Sequence, residues 1–127
     1  MAASPREIDN AHSVHDRLKE IFSAAPPGRD DGAALQEVRR LCQDAKRLVG
    51  DGYCHAQLRQ LERYARFFFS SEAHQRWARD TGFGGNGLRG LVLQLLSALE
   101  LRLSHLDARQ LCAAQPDPRL APEARRA

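Results

Sequence analysis

The stretch LRGLVLQLLSALELRLSHL, residues 88–106, is apolar on nearly every side of a helix. Only a narrow polar strip interrupts it, formed by Gly90, Gln94, Ser97 and Ser104. A helix at the surface of a globular protein has one apolar stripe, whereas a helix that is apolar all round is typical of the middle of a protein. The pattern therefore predicts that residues 88–106 form the central helix of a small bundle, wrapped by the other helices.

The rest of the chain predicts further helices that pack around this segment. Apolar residues recur at intervals of three and four in the segments 5–24, 33–49 and 55–69, which is the spacing of one helix face. A short polar helix over 72–80 and a glycine-rich loop over 81–87 then lead into the central helix. No stretch of useful length alternates as a strand does. We therefore predict an all-α fold, a small helical bundle of four main helices with one or two short ones.

Length and composition are those of an ordinary soluble domain. The chain has 127 residues, of which 43% are hydrophobic and 28% are charged, and its formal net charge is +3. That length can bury a core without disulfides or metals. We predict a single domain over residues 4–115. The segment 116–127 is rich in proline and charge and lacks periodicity, so we predict a disordered tail there.

The cysteines and the beginning of the chain bear on its compartment. Cys42, Cys54 and Cys112 are odd in number and have no CxxC spacing, which argues against a disulfide framework and a zinc site. The first residues contain no apolar run of the kind that a secretory signal needs. Charged residues within the central helix, Arg89 and Glu100 among them, make insertion into a membrane costly. We therefore expect a cytoplasmic or nuclear protein with no membrane span.

Three glycines before the central helix, Gly82, Gly84 and Gly87, spell GxGxxG. A dinucleotide-binding loop of this kind needs a strand immediately before the glycines, and the preceding residues read as a helix. The pattern is therefore interpreted as a hinge between two helices. A weaker hypothesis remains, in which the glycine-rich entry to the helix, at Gly87, and Arg89 two residues later bind an anion such as phosphate or a carboxylate.

No arrangement of residues indicates catalysis or metal binding. His12 and His15 lie three residues apart on the first helix, but two histidines do not make a metal site. We expect both to flank the core face in solvent. No serine occupies a nucleophile elbow, and no acid and histidine are placed as in a di-metal site. We therefore expect no enzyme activity, no metal and no cofactor.

Arginines alternate with aromatic residues on the third helix and after it. The residues concerned are Arg59, Arg63, Tyr64, Arg66, Phe67, Arg76, Trp77 and Phe83. Basic residues interleaved with aromatic ones can bind nucleic acid, while arginine, tyrosine and tryptophan also dominate the hot spots of protein interfaces. A third interpretation is a face that is only solvated, which the small net charge favours.

Three successive phenylalanines sharpen the choice between these interpretations. Neighbouring residues of a helix point about 100° apart, so Phe67, Phe68 and Phe69 cannot all face one core. Phe68 shares its face with Leu58 and Leu61, and Phe67 points away from them. Either a second helix covers Phe67, or a partner does.

The most specific hypothesis is a non-enzymatic protein–protein interaction module, an adaptor within a larger intracellular assembly. Its partner would be acidic or helical and would bind the arginine and aromatic residues named above. The alternative is a nucleic-acid-binding protein that uses the arginine-rich helical face. A third hypothesis, an enzyme or carrier with an anion at the start of the central helix, has the least support from the residues.

Overall fold

The computed structural model describes the backbone of residues 5–114 and the side chains of residues 6–108. Within this range the chain forms helices and no strand, so the predicted all-α bundle is confirmed. The helices are α1 (Pro5–Ala24), α2 (Gly32–Leu48), α3 (Gly52–Phe68), α4 (Ser71–Thr81) and α5 (Gly85–Ala114). The predicted tail, 116–127, lies outside the described residues.

Four helices form a ring, and the fifth is attached to its outside. The packed pairs around the ring are α1 with α2, α2 with α3, α3 with α5, and α5 with α1. Ring neighbours run antiparallel: Asp51, at the start of α3, bonds Arg102, in the second half of α5, at 2.9 Å. The short helix α4 fills the connection between α3 and α5 and packs mainly on α3. The fold is therefore an up-and-down four-helix bundle with one added helix.

Side-chain caps fix where three of the helices begin. Asp31, Asp51 and Ser70 stand just before α2, α3 and α4, and each accepts a hydrogen bond from a backbone N–H of the first turn. Such caps satisfy donors that have no partner within the helix. At the other end of α4, Gly82 has a φ of 77°, the left-handed conformation that glycine adopts without strain. Of the three glycines of the GxGxxG pattern, Gly82 therefore ends α4, Gly84 lies in the short connection, and Gly87 lies in the first turn of α5.

The core is built from leucines and phenylalanines of the ring helices. Phe22 of α1 meets Phe68 of α3 edge to face, with ring centroids 5.1 Å apart. Both rings are completely buried, and Phe69 lies beside them. From α5 the fully buried residues recur at helical spacing, and they are Leu88, Val92, Leu96, Leu99 and Leu103.

The position of α5 in the bundle differs from the predicted one. It supplies a large part of the core, as predicted, but it occupies one place in a ring and is not enclosed by the other helices. Its outward side reaches solvent, and Leu101 there is 74% exposed. The reason is architectural, because a four-helix ring covers each member on two sides and toward the middle only. No helix in residues 5–114 has the combination of length and apolar character that crossing a membrane requires.

Candidate functional site

The outer face of α3 and the helix α4 together form one wall of the molecule. The loop between α1 and α2 holds the start of α4 in place: Asp30 accepts a hydrogen bond from the Ser71 N–H at 2.7 Å. Gly28, in the same loop, has a φ of 81°, and a Cβ there would lie 2.7 Å from the His74 ring. His74 in turn donates from Nδ1 to the Phe67 carbonyl at 3.1 Å. The angle between α3 and α4 is therefore fixed by the neighbouring loop.

Aromatic rings fill the seam between these two helices. Phe67 stacks on Trp77, with centroids 5.9 Å apart and planes 21° from parallel. Tyr64 meets Phe67 edge to face at 6.1 Å, and Phe83 approaches Trp77 from the following loop at 5.9 Å. Trp77 is buried, and Phe83 remains 52% exposed. The seam is thus an aromatic cluster with one open end.

A cavity of about 410 Å³ opens beside this cluster. We call it the α3–α4 cleft, and its lining residues are Arg63, Tyr64, Arg66, Phe67, Ala73, Arg76, Trp77, Asp80 and Thr81. Six of the eight residues predicted to bind a partner line it together. The other two, Arg59 and Phe83, lie outside: Arg59 is exposed on α3, and Phe83 contacts Trp77 from the loop.

The charges around the cleft are mostly unpaired. Arg59, Arg63 and Arg66 are exposed, and none forms an ion pair with a residue that the structure describes. Arg76 approaches Glu72 at 3.6 Å, between two exposed side chains whose attraction water screens. The single acidic residue in the lining is Asp80. The cleft therefore combines an apolar back wall with a rim of positive charge.

The structure changes the interpretation of Phe67. A second helix, α4, covers the face of α3 that carries this residue, and Phe67 is partly buried. Phe67 and Trp77 pack on each other, so they are walls of a cleft and do not project as anchors. An anchor would have to come from the partner.

The hypothesis of an anion at the start of α5 is not supported by the position of Arg89. Its guanidinium donates to the backbone carbonyls of Phe22 at 3.3 Å and Ala25 at 2.6 Å. These carbonyls end α1 and have no acceptor role within the helix, so Arg89 satisfies them. Gly87 allows Phe83 to pack closely, since a Cβ at this glycine would lie 3.3 Å from the Phe83 Cβ. Both residues have structural roles that the sequence pattern did not reveal.

The expectation that both histidines of α1 lie in solvent is wrong for His15, which is 1% exposed. The sequence contains a signal for this position. His15 continues the series of buried residues that includes Ile8, Ala11, Leu18 and Phe22, with intervals of three and four. His12 is partly exposed and lies 3.1 Å from Asp107 of α5.

A second partly apolar surface runs along the seam between α3 and α5. One cavity of about 380 Å³ contains Leu91, Leu95 and Ala98, and the Gln57 Oε1 atom is buried beside it with no hydrogen-bond partner among the described residues. Another, of about 580 Å³, contains Leu101 and Tyr53. Leu101 is the one leucine that falls within the polar strip of α5, which was the available sequence signal for this surface.

The described cysteines are poor candidates for nucleophiles. Cys42 and Cys54 are free and buried, and burial raises the pKa of each thiol to about 12. A thiol with so high a pKa is protonated at neutral pH, whereas the thiolate is the reactive form.

Comparison with protein-family models, with curated protein sequences and with solved structures gives no match to this chain.

Proposed function

We propose that this protein is a non-enzymatic interaction module, an adaptor within a larger intracellular assembly, and that the α3–α4 cleft binds an acidic, helical segment of a protein partner. The observation that carries the proposal is the cleft itself, a cavity of about 410 Å³ with aromatic walls and a rim of arginines. Among the described residues Arg63 and Arg66 have no ion pair, and Arg76 approaches only the exposed Glu72. In this arrangement an apolar side chain of the partner enters the cleft, and carboxylates beside it meet the arginines.

The aromatic walls favour one apolar anchor. Tyr64, Phe67 and Trp77 line the cavity, and their rings pack on one another. Burying an aliphatic or aromatic side chain there contributes about 1.5–3 kcal/mol from the apolar area removed from water. The walls are already packed, so binding costs little additional ordering of side chains.

The arginine rim favours an acidic partner. Arg63 and Arg66 line the opening and have no carboxylate of their own chain to pair with among the described residues. Arginine binds carboxylates through two parallel hydrogen bonds, and a positive rim also accelerates encounter with a negative segment. A helix supplies the needed pattern, because acidic residues three or four positions from an apolar anchor share its face.

Nucleic acid is the alternative occupant of the cleft, and the arrangement of the aromatic side chains favours it less. Bases bind non-specifically by stacking on open aromatic faces. Here Phe67 and Trp77 cover each other's faces, and Asp80 brings negative charge into the lining.

We also propose a location in the cytoplasm or the nucleus. Cys42 and Cys54 are buried free thiols, which supports it because these compartments keep thiols reduced. The proposal that the protein is not an enzyme agrees with the high pKa of the Cys42 and Cys54 thiols, which makes these two residues poor catalytic nucleophiles.

The test compares two charge reversals of equal size. Arg63→Glu with Arg66→Glu alters the rim, whereas Arg39→Glu with Arg40→Glu alters the exposed face of α2, away from the cleft. Immobilised wild-type protein and both variants are incubated with native extract, before and after nuclease treatment. We expect a set of proteins that survives nuclease, is retained by the α2 variant and is lost from the α3 variant.

The retention of the same proteins is then measured at increasing salt concentration. Retention that disappears with nuclease, or that falls steeply between low and moderate salt for both variants alike, would assign the surface to nucleic acid. Retention that is equal for the wild type and the α3 variant would remove the cleft as the binding site.

A further inference from the structure

His15 of α1 carries a buried imidazole, and one of its two ring nitrogens bonds a backbone carbonyl of α5. Its Nε2 lies 2.9 Å from the Leu96 carbonyl, and the ring is 1% exposed. A carbonyl oxygen only accepts hydrogen bonds, so Nε2 carries a hydrogen and donates it. In the neutral ring, Nδ1 is then a bare lone pair.

That lone pair faces a carboxylate. Nδ1 lies 3.1 Å from Oδ1 of Asp16, a distance at which two acceptors repel each other unless a cation stands between them. The cation is either a second proton on the ring or a metal ion. The contact therefore marks a position that requires positive charge, beside a nitrogen that is removed from bulk water.

A third ligand comes from the facing helix. Glu100 of α5 stands one helical turn after Leu96, and its carboxylate, that of Asp16 and the His15 ring nitrogen all lie within 4.8 Å of one another. Asp16 and Glu100 are both exposed, so an ion can reach them from solvent. The three side chains span the seam between α1 and α5.

We propose that His15, Asp16 and Glu100 bind a divalent transition-metal ion, with Zn²⁺ as the first candidate. Ligands about 2.1 Å from one ion, at angles between about 90° and 109°, are about 3.0–3.4 Å apart, and the observed 3.1 Å falls in that range. One imidazole with two carboxylates suits zinc and its first-row neighbours better than Ca²⁺ or Mg²⁺, which prefer oxygen alone. Water completes the coordination on the exposed side.

A metal-bound histidine usually donates a hydrogen bond from its other ring nitrogen, and here the Leu96 carbonyl is the acceptor. It accepts from Nε2, which fixes the tautomer and turns Nδ1 toward the ion. Because the three ligands come from α1 and α5, the ion binds the folded protein and joins two antiparallel helices. Binding of this kind stabilises the native state in proportion to its occupancy.

The experiment is a titration of the full chain with ZnCl₂ in a non-chelating buffer at neutral pH, followed by melting temperature and by ¹⁵N NMR of the histidine rings. We expect saturation at one equivalent, a higher melting temperature, and a shift of the His15 Nδ1 resonance that EDTA reverses. Asp16→Asn and Glu100→Gln should each weaken binding at least about tenfold, as loss of a ligand or of its support does.

Controls separate this site from adventitious binding. Asp9→Asn removes another exposed acid from the same helix and should bind Zn²⁺ as the wild type does. His12→Gln removes the contact between His12 of α1 and Asp107 of α5 and should leave the His15 shift intact. Asp16→Asn is expected to fold, because an amide can donate to the bare Nδ1.

Two results would overturn the proposal. The His15 ring could hold two protons at neutral pH and keep them at saturating Zn²⁺, which would make the contact an ion pair between imidazolium and Asp16. Alternatively, both carboxylate variants could bind Zn²⁺ as tightly as the wild type does.

Discussion

The seam between α1 and α5 and the seam between α3 and α4 join their helices in different ways. Across the first, polar side chains reach the other helix: Arg89 bonds two carbonyls at the end of α1, and His15 bonds the Leu96 carbonyl. Across the second, rings pack on rings, as Phe67 does on Trp77, and one polar side chain, that of His74, bonds the Phe67 carbonyl. Arg63 and Arg66 beside them have no carboxylate partner among the described residues, and Arg76 approaches only the exposed Glu72.

The difference shows which charges hold the fold together. A charge that satisfies a buried or partly buried carbonyl cannot be removed without leaving that carbonyl unpaired, which costs more than the bond itself contributes. An exposed charge without a partner contributes little to folding and remains available to another molecule. The α3–α4 seam is therefore the one expected to tolerate substitution and to respond in binding.

The largest expected effect contrasts two neighbouring phenylalanines. Phe68→Ala should cost about 3–5 kcal/mol, because the ring is completely buried against Phe22 and Phe69. Phe67→Ala should cost about 1–2 kcal/mol, since that ring is only partly buried and loses one stacking partner, Trp77. Urea denaturation of both variants measures the difference. Equal costs would mean that the α3–α4 seam belongs to the core.

Substitution of Arg89 tests how much the polar contacts between α1 and α5 contribute to stability. Arg89→Met keeps the aliphatic stem and removes the hydrogen bonds to the Phe22 and Ala25 carbonyls, so unfolding should become about 1.5–3 kcal/mol easier. The matched variant is Arg66→Met, which removes an exposed arginine from the other seam and should change stability by less than about 0.5 kcal/mol. The contrast between the seams fails if the two substitutions cost the same.

The bond between Asp51, at the start of α3, and Arg102 of α5 is a further polar contact between helices, and its contribution to stability can be followed with pH. The bonds with Arg102 hold the pKa of the Asp51 carboxyl well below its usual range. A carboxyl whose pKa is lower in the folded state stabilises the protein above the unfolded pKa, about 3.9, and loses that contribution as the pH falls through the folded pKa. Asp51→Asn keeps the cap acceptor for the Cys54 N–H and removes the charge.

Wild type should therefore exceed Asp51→Asn in stability by about 1–2 kcal/mol at pH 7, as expected for charge-assisted hydrogen bonds. The difference should shrink steadily below about pH 5, as the carboxyl is protonated. Urea denaturation of both proteins at pH 7, 5, 4 and 3 measures it. A constant difference at every pH would show that the ion pair with Arg102 contributes nothing.

The ring helices were predictable because their apolar spacing is long and regular. The fold class, the order of the helices and the grouping of Tyr64, Phe67 and Trp77 followed from the sequence. The position of α5 did not, because a nearly continuous apolar circumference suits an enclosed helix, and only packing shows that two neighbours are not enough to cover it. Its exposed leucine, Leu101, marks the uncovered side.

Side chains that act on the backbone of another helix were beyond sequence reasoning. The pairing of Arg89 with the end of α1, and that of His15 with the Leu96 carbonyl, join residues 64 to 81 positions apart. Their partners are carbonyl groups, which every residue has, so no pattern of residue types indicates them. The hypothesis of an anion site at Gly87 and Arg89 arose because the sequence does not indicate that Arg89 bonds the carbonyls at the end of α1.

The smallest effect on stability is expected from the central arginine of the α3 rim. Arg63 has Arg59 four positions before it and Arg66 three positions after it, so two like-charged neighbours share its side of the helix. Like charges at these spacings destabilise a helix by about 0.2–0.5 kcal/mol per pair, whereas the described residues give Arg63 no ion pair in return. Arg63→Gln should therefore leave the free energy of unfolding unchanged or raise it by a few tenths of a kcal/mol, and added salt should remove the gain. Arg17→Gln is the control, because Arg17 bonds Glu20 and Glu37 and its loss should lower stability slightly. A cost above about 1 kcal/mol for Arg63→Gln would show that this arginine holds the fold and is not free to meet a partner.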